Sequence, residues 1–240
     1  MPEKSANSLE ERILEKIVRS LKSGEKLPSE KQLAAEFGVS RTMIREAFSA
    51  FEASGVVVAL QGSGRYAQMP DVSGQIADGW TILIRAKPEL LLELLEIRVV
   101  LELGFLPKAI DRLDLEKTRE LRRLVEAMLE KSSRGEAFVH EDREFHRILL
   151  SSAGNVLLEQ LLKAFWDLYE QSNIVRNHPN LQTVARTHQE ILEAVVKKNV
   201  ERATELMKQQ FMDVRYHISM LLTSESGHDF QGGDSRKEES

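Results

Sequence analysis

Residues 28–48 read PSEKQLAAEFGVSRTMIREAF, and this stretch decides the fold of the N-terminal part of the chain. Ser29 is followed three residues later by Gln32, a capping box that predicts the start of a helix. Gly38 predicts the end of that helix, because glycine adopts the left-handed conformation that closes helices. Ser40 predicts the N-cap of a second helix. The stretch is therefore predicted to form two helices joined by a tight turn.

The second predicted helix has one apolar face and one basic face. The apolar residues that recur at helical spacing are Ile44, Ala47, Phe48 and Phe51. The N-terminal turn places Arg41, Thr42 and Arg45 on the opposite side. A helix of this kind enters the DNA major groove, where arginine binds guanine O6 and N7 and hydroxyls bind phosphates. The stretch is therefore predicted to bind DNA.

The flanking residues extend the two helices to a winged helix. Upstream, apolar residues recur every four positions from Leu9 to Leu21, which predicts a preceding helix. Downstream, residues 56–60 have the composition of a strand, residues 61–64 mark a turn, and residues 65–67 return as a second strand. Three helices and a β-hairpin make a winged helix-turn-helix. The alternative is a small helical protein-binding module whose arginines are only solvated.

Composition and charge limit the classes of protein to consider. The 240 residues carry a net charge of −5, and residues 1–70 hold 10 Lys and Arg against 9 Asp and Glu. Because the DNA-binding part is only weakly basic as a whole, its affinity for DNA must come from a local basic patch. We expect a homodimer on a palindromic operator, which would double the number of contacts from this patch. The chain has no cysteine, which excludes disulfides and thiolate metal ligands and fits the cytoplasm. No apolar run is long enough for a membrane span, so no membrane association is expected.

The rest of the chain is helical in pattern. Helices are predicted over residues 76–86, 88–107, 114–134, 136–151, 155–172, 181–197 and 200–222. The predicted fold is an N-terminal winged helix-turn-helix followed by an all-α antiparallel bundle of six to seven helices. The predicted boundaries are 1–68 for the DNA-binding domain, 69–75 for a linker, 76–222 for the helical domain and 223–240 for a disordered tail.

Two predicted helices of the bundle carry candidate metal ligands. Asp142 and His146 are four residues apart and therefore share one face of a helix, and His188 lies on a later helix. Imidazole and carboxylate groups suit a divalent metal such as Zn, Ni, Fe or Mn. The alternative is structural, with a local ion pair between Asp142 and His146 and a hydrogen-bonded His188.

The N-terminal motifs resemble the signature of the GntR family of bacterial transcription regulators. The resemblance covers residues 8–68 and rests on Leu27–Ala34, Gly38–Thr42 and Ile44–Ala47. It implies that DNA contacts fall on Lys31, Ser40, Arg41, Thr42, Arg45 and the wing glycine Gly62. Relatives often have arginine in place of Lys31. Lysine keeps the charge without the planar fork, so we expect a phosphate contact there.

The helical part resembles the FCD ligand-binding domain found in the FadR subfamily of these regulators. The resemblance spans residues 76–217, with motifs at 96–98, 142–146, 154–155 and 188–194. It implies that one Asp and three His bind a metal that helps to hold a small organic acid, and Asp142, His146 and His188 match three of these positions. The fourth position is Gln210, whose amide is a poor ligand for zinc or nickel. The metal site is therefore expected to be weakened, completed by Gln210 or water, or used without metal.

An arginine within an apolar helix marks the expected effector pocket. Arg98 needs an anionic partner there, which is either an internal carboxylate, Glu102 at i+4 or another, or the carboxylate of an effector. The other candidate effector contacts are Tyr169, Asn173 and Arg176. Trp166, nearby on the same helix as Tyr169, is expected in the core.

These features together predict a ligand-responsive, DNA-binding transcription regulator and not an enzyme. It is expected to be a repressor that a small organic acid releases from its operator, with or without a bridging divalent metal. The alternatives are an acyl-CoA-responsive regulator without metal and an architectural DNA-binding protein whose bundle only dimerises. A metal-dependent hydrolase would use the same Asp and His residues, but the chain has no His-Glu-x-x-His motif, nucleophile elbow or phosphate loop.

Overall fold

The computed structural model describes residues 8–171 and 180–226. Each of its first three helices is preceded by a serine at the N-cap position. The N-terminal elements are α1 (Leu9–Ser23), α2 (Glu30–Phe37), α3 (Arg41–Ala53), β1 (Val57–Leu60) and β2 (Gly64–Ala67). Ser8 and Ser29 each form a capping box, and Ser40 caps α3 through its hydroxyl. The predicted succession of three helices and a hairpin is confirmed.

The β-hairpin packs beside the helices as a wing. Val57 lies opposite Ala67 and Leu60 lies opposite Gly64 in an antiparallel pair. The tight turn requires positive φ, and Gly62 adopts +75°. The fully buried side chains that hold α1, α2 and α3 together are Ile13, Ile17, Leu33, Ile44 and Phe48. Their spacing along each helix is the apolar periodicity read from the sequence.

A helical bundle follows, and the chain divides into two units between Val72 and Ser73. The helices of the second unit are α4 (Ser73–Ala86), α5 (Leu90–Arg112), α6 (Leu115–Ser133), α7 (Val139–Ser151), α8 (Val156–Gln171), α9 (Leu181–Val196) and α10 (Val200–Ser226). In this second unit, α9 packs on α6 and α10, and α5 packs on α7 and α10. These seven helices in the described part of the chain agree with the predicted all-α bundle.

Two boundaries of the helical part differ from the predicted ones. Helix α4 begins at Ser73, inside the segment 69–75 that was expected to be a linker, and the Ser73 side chain is buried. Helix α10 continues to Ser226, beyond the end at residue 222 that the apolar pattern indicated. Short polar residues near a helix end give no periodic signal, so sequence pattern places such boundaries poorly.

Two further boundaries inside the bundle differ from the predicted ones. Helix α5 continues through Pro107 to Arg112, although the proline was expected to end it. The next turn buries Ala109 and Ile110 in the core, which stabilises the helix despite the missing backbone hydrogen bond. Helix α7 begins at Val139 and not at residue 136. Within the described residues no helix is both long and apolar enough to cross a membrane.

Candidate functional site

Four polar side chains from three helices of the bundle converge in its interior. Asp142 and His146 lie on one face of α7, His188 lies on α9, and Gln210 lies on α10. All four are at least nine-tenths buried. One ligand atom from each of Asp142, His146 and His188 lies within 4.8 Å of the others. The structure thus brings together the residues that the sequence nominated as metal ligands.

Hydrogen bonds behind the two imidazoles orient them toward a common point. His188 Nδ1 lies 2.9 Å from the carbonyl oxygen of Val184. His146 Nδ1 lies 2.8 Å from Oε2 of the buried Glu102. Both partners are acceptors, so a neutral imidazole at either position would carry its proton on Nδ1 and present the Nε2 lone pair inward. Metal-binding histidines are commonly held in this way.

The carboxylate of Asp142 meets both inward nitrogens. Its Oδ1 lies 2.7 Å from His188 Nε2 and 3.9 Å from His146 Nε2. Within the described residues, Oδ1 is buried without a hydrogen-bond partner. Burial raises the pKa of the Asp142 carboxyl, but His188, His146 and Arg98 outweigh that effect and hold it below its usual range. Asp142 is therefore an ionised oxygen donor.

Gln210 occupies the fourth position with its amide. The Nε2 atom of Gln210 lies 3.1 Å from His188 Nε2 and 3.3 Å from His146 Nε2. An amide nitrogen has two N–H groups, so it can donate to both imidazole lone pairs at once. In the described part of the chain, the Oε1 atom of Gln210 is buried without a hydrogen-bond partner. The amide thus satisfies the two histidines and leaves its own oxygen unpaired.

A buried ion pair stands directly behind His146. Arg98 Nε donates to Glu102 Oε1 at 2.6 Å, while Glu102 Oε2 accepts from His146. Glu102 is therefore a partner of Arg98, which was one of the two expected outcomes. Burial opposes both charges, but their attraction, with that of His146 for Glu102, lowers the pKa of Glu102 and raises the pKa of Arg98. Both side chains are therefore ionised in the folded protein.

Arg98 also contacts aromatic rings and lines a cavity. Its guanidinium carbon lies 4.0 Å from the ring centroid of Trp166, with the rings of Phe211 and Tyr169 at 5.3 and 5.4 Å. The lining of the adjacent cavity includes Arg98, Asp142, Trp166, Tyr169, Gln210, Phe211 and His217. The cavity volume is about 60 Å³. That is several times the space that one water requires, about 10–15 Å³ on the same scale.

Some of the candidate effector-binding residues line this cavity, and the others lie outside the described residues. Tyr169 lines the cavity, and burial raises its pKa to about 12, so its hydroxyl keeps the proton. Asn173 and Arg176 lie outside the described residues. Trp166 was expected to be a core residue, and it is buried, but it also lines the cavity. Among the described residues its Nε1–H has no hydrogen-bond acceptor.

Sequence reasoning missed two features of this site. It considered Glu102 only as a neighbour of Arg98, because His146 is 44 residues further along the chain. It classified Trp166 by its apolar surface and not by its indole N–H.

The candidate DNA-contacting residues lie on one surface of the N-terminal unit. Ser40, Arg41, Thr42 and Arg45 form the exposed start of α3, Lys31 is exposed in the first turn of α2, and Gly62 is at the tip of the wing. Lys31, Arg41 and Gly62 line one groove between the helices and the wing. The Ser40 hydroxyl accepts from the backbone nitrogen of Met43 at 3.2 Å, so its oxygen is engaged in capping.

Comparison with known proteins places both units in one family. The gntR family of bacterial regulatory proteins matches residues 5–66, and the FCD domain matches residues 93–212, half of the chain. The HTH-type transcriptional regulator LutR of Bacillus subtilis is 30% identical over 83% of this chain and 94% of its own. This chain belongs to the GntR family. It is a DNA-binding transcription regulator with a C-terminal FCD ligand-binding domain, and the FadR-like subfamily fits that domain.

Two further relatives of this GntR-family regulator agree with that assignment. The HTH-type transcriptional repressor NanR of an Enterobacter species is 26% identical over 77% of this chain and 78% of its own. The solved structure of a GntR protein from Streptococcus agalactiae superposes with a TM-score of 0.66 at 27% identity. That superposition covers 86% of this chain and 97% of the neighbour. The fold is therefore shared over both the winged helix and the bundle.

Proposed function

We propose that this GntR-family regulator is a repressor that a small organic acid releases from its operator. The observation that carries the proposal is the buried cluster of Asp142, His146 and His188, which adjoins a cavity lined by Asp142 and by the buried cation of Arg98. Bare packing does not require four ionisable groups inside an apolar bundle, because each is costly to bury. Perturbed, buried groups that line one cavity are the usual mark of a functional site.

The donor set of this site fits a divalent metal. Asp142, His146 and His188 supply one oxygen and two nitrogen ligands, and the buried oxygens of Asp142 and Gln210 have no hydrogen-bond partner in the described residues. With the Gln210 oxygen as a further ligand, the set would suit Mn or Fe better than Zn or Ni. The Oε1 and Nε2 atoms of Gln210 are nearly the same size. Rotation of the amide would therefore bring Oε1, which can bind a metal, to the place that the donor Nε2 occupies. A bound metal would supply a positive charge for the carboxylate of an effector.

The same cavity supports a small anion as the effector. Arg98 provides a fixed positive charge, and the Trp166 indole provides a buried N–H without an acceptor among the described residues. A volume of about 60 Å³ suits an acid with few heavy atoms. An acyl-CoA thioester is far larger, so this cavity favours the organic acid over that alternative. The regulator family also favours ligand sensing over metal-dependent hydrolysis.

Release from DNA requires that the effector distinguish two states of the protein. A ligand shifts an equilibrium only by its difference in affinity for the two states, and about 1–3 kcal/mol is typical. We place the regulator in the cytoplasm, where its operator DNA lies, and propose a homodimer on a palindromic site. One winged helix offers too few phosphate contacts for useful operator affinity, and two-fold symmetry doubles them.

The test uses full-length protein purified without chelator and its own selected operator. Metal content is measured by elemental analysis, and fluorescence anisotropy then follows DNA release by a panel of hydroxy-, keto- and dicarboxylic acids. His188→Ala is expected to bind DNA normally and to lose the response to the active acid. His140→Ala is the matched control, because His140 is an exposed histidine of α7 outside the site. A His188→Ala protein that still responds normally would contradict the proposal.

A further inference from the structure

One carboxylate in the DNA-binding unit contacts arginines from two other elements. Glu30 is the first residue of α2, and its side chain is 11% exposed. Its oxygens accept from Arg45 of α3, with Nε at 3.3 Å and Nη2 at 2.9 Å. They also lie 3.1 Å from Nη2 of Arg65 in β2 and 3.8 Å from Nη2 of Arg41. Glu30 thus joins the second helix, the recognition helix and the wing.

The bond to Glu30 uses only one edge of Arg45. A guanidinium has five N–H groups in one plane, and the Nε–Nη2 edge faces the carboxylate. The remaining N–H groups of Nη1 and Nη2 have no partner among the described residues, and the side chain is 60% exposed. This outer edge has the two-donor pattern that fits guanine O6 and N7 in the major groove. Glu30 therefore holds Arg45 from behind and leaves its reading edge open.

Arg65 fixes the wing to the same carboxylate. Its Nε lies 2.6 Å from Glu52 of α3, and its guanidinium carbon is 4.9 Å from the centroid of the Phe48 ring. With Glu30 on its other side, Arg65 ties strand β2 to both α2 and α3. The hydrogen bonds from Arg45 lower the pKa of Glu30 against the opposing effect of burial, and Arg65 lowers it further. Glu30 is therefore ionised at neutral pH.

We propose that Glu30 is a positioning residue for base recognition, which orients Arg45 toward a guanine and sets the wing against the recognition helix through Arg65. This inference rests on the proposed base contact of Arg45. A carboxylate close to the DNA surface repels phosphates in any sequence, so it cannot serve affinity. It serves specificity, because an arginine already held in its binding orientation loses less rotamer freedom on the correct base.

The test compares binding to two DNA duplexes. The first duplex is selected from a random-sequence pool by the wild-type protein, and the second is the same sequence shuffled. Fluorescence anisotropy with full-length protein gives the ratio of the two affinities. Glu30→Gln is expected to lower this ratio about five- to tenfold, which is part of the discrimination that one bidentate arginine supplies. Binding to the shuffled duplex is expected to stay equal or to tighten.

A matched variant separates this effect from a change of charge. Glu36 lies on the same helix and pairs with Lys16 at 2.6 Å, away from the arginines. Glu36→Gln is therefore expected to leave the ratio unchanged. If Glu30→Gln also leaves the ratio unchanged, or weakens both duplexes by the same factor, the inference is overturned.

Arg45→Ala distinguishes failure of this inference from failure of the base contact. If Arg45→Ala leaves the ratio unchanged, the base contact assigned to Arg45 is wrong and the inference falls with it. If Arg45→Ala lowers the ratio and Glu30→Gln does not, only the role of Glu30 is wrong. In the Arg45→Ala background, adding Glu30→Gln is expected to lower the ratio by less than twofold. A full additional loss would show that Glu30 does not act through Arg45.

Discussion

Replacing Glu102 by glutamine exchanges one carboxylate oxygen for an amide nitrogen at the centre of the buried ion pair. In the folded protein, Oε1 accepts from Arg98 and Oε2 accepts from His146. Glutamine has a single acceptor oxygen, so its NH₂ group must face one of these two donors. The substitution keeps the shape of the side chain but removes its charge and one of its acceptors.

The expected loss of stability follows from the burial of both partners. Glu102 is fully buried and Arg98 is 4% exposed. Neutralising the carboxylate leaves the guanidinium without its counter-ion, and removing one partner of a buried pair costs about 3–5 kcal/mol. In domains of this size, each kcal/mol lowers the thermal midpoint by about 2–4 °C. The midpoint of the C-terminal unit is therefore expected to fall by roughly 6–20 °C.

Tryptophan fluorescence isolates this transition. The chain has two tryptophans, Trp80 in α4 and Trp166 in α8, and both lie in the C-terminal unit. The measurement compares metal-free, full-length proteins at neutral pH. The control is Glu130→Gln, because Glu130 pairs with Arg134 at the same i,i+4 spacing and 2.6 Å, but on the surface. Water solvates that pair, so its loss is expected to leave the midpoint unchanged.

The outcome for metal binding follows from the same substitution. Without an acceptor at Oε2, the Nδ1 proton of His146 is no longer fixed, and the inward Nε2 loses part of its character as a lone-pair donor. Metal affinity is expected to fall about 10–100-fold, as for other residues that orient metal-binding histidines. A Glu102→Gln protein with the wild-type midpoint and the wild-type metal affinity would refute this reasoning.

Three further predictions concern DNA, metal choice and assembly. Lys31→Ala is expected to weaken binding to operator and shuffled duplexes alike and to reduce the slope of log affinity against log salt by about one, as for a phosphate contact; a change confined to the operator would contradict it. Gln210→His adds a third imidazole and is expected to raise zinc affinity at least about tenfold, measured by competition with a chromogenic chelator. Unchanged zinc affinity would mean that position 210 does not reach the metal. Light scattering at micromolar concentration is expected to give a dimer, and a monomer both with and without operator would contradict two-fold binding.

Much of the N-terminal unit was readable from short stretches of sequence. The capping boxes at Ser8 and Ser29, the cap at Ser40 and the turn at Gly62 each depend on residues within four positions of one another. Hydrogen bonds over so short a distance form in the same way wherever the stretch occurs. The spacing of Asp142 and His146 belongs to the same class, since two residues at i and i+4 of a helix share a face.

The other relationships depend on how the helices pack. Pro107 predicted the end of a helix, yet the burial of Ile110 in the next turn carries α5 onward, because tertiary packing outweighs a local preference. Glu102 and His146 are 44 residues apart, and the Gln210 amide reaches imidazoles that belong to two other helices. The contacts that orient the metal ligands, like those that join Glu30 to Arg45 and Arg65, form between elements whose separation and angle are set by the core. No spacing along the chain encodes those distances. The sequence identified Asp142, His146 and His188 as candidate ligands, and the packed structure showed the contacts that orient them.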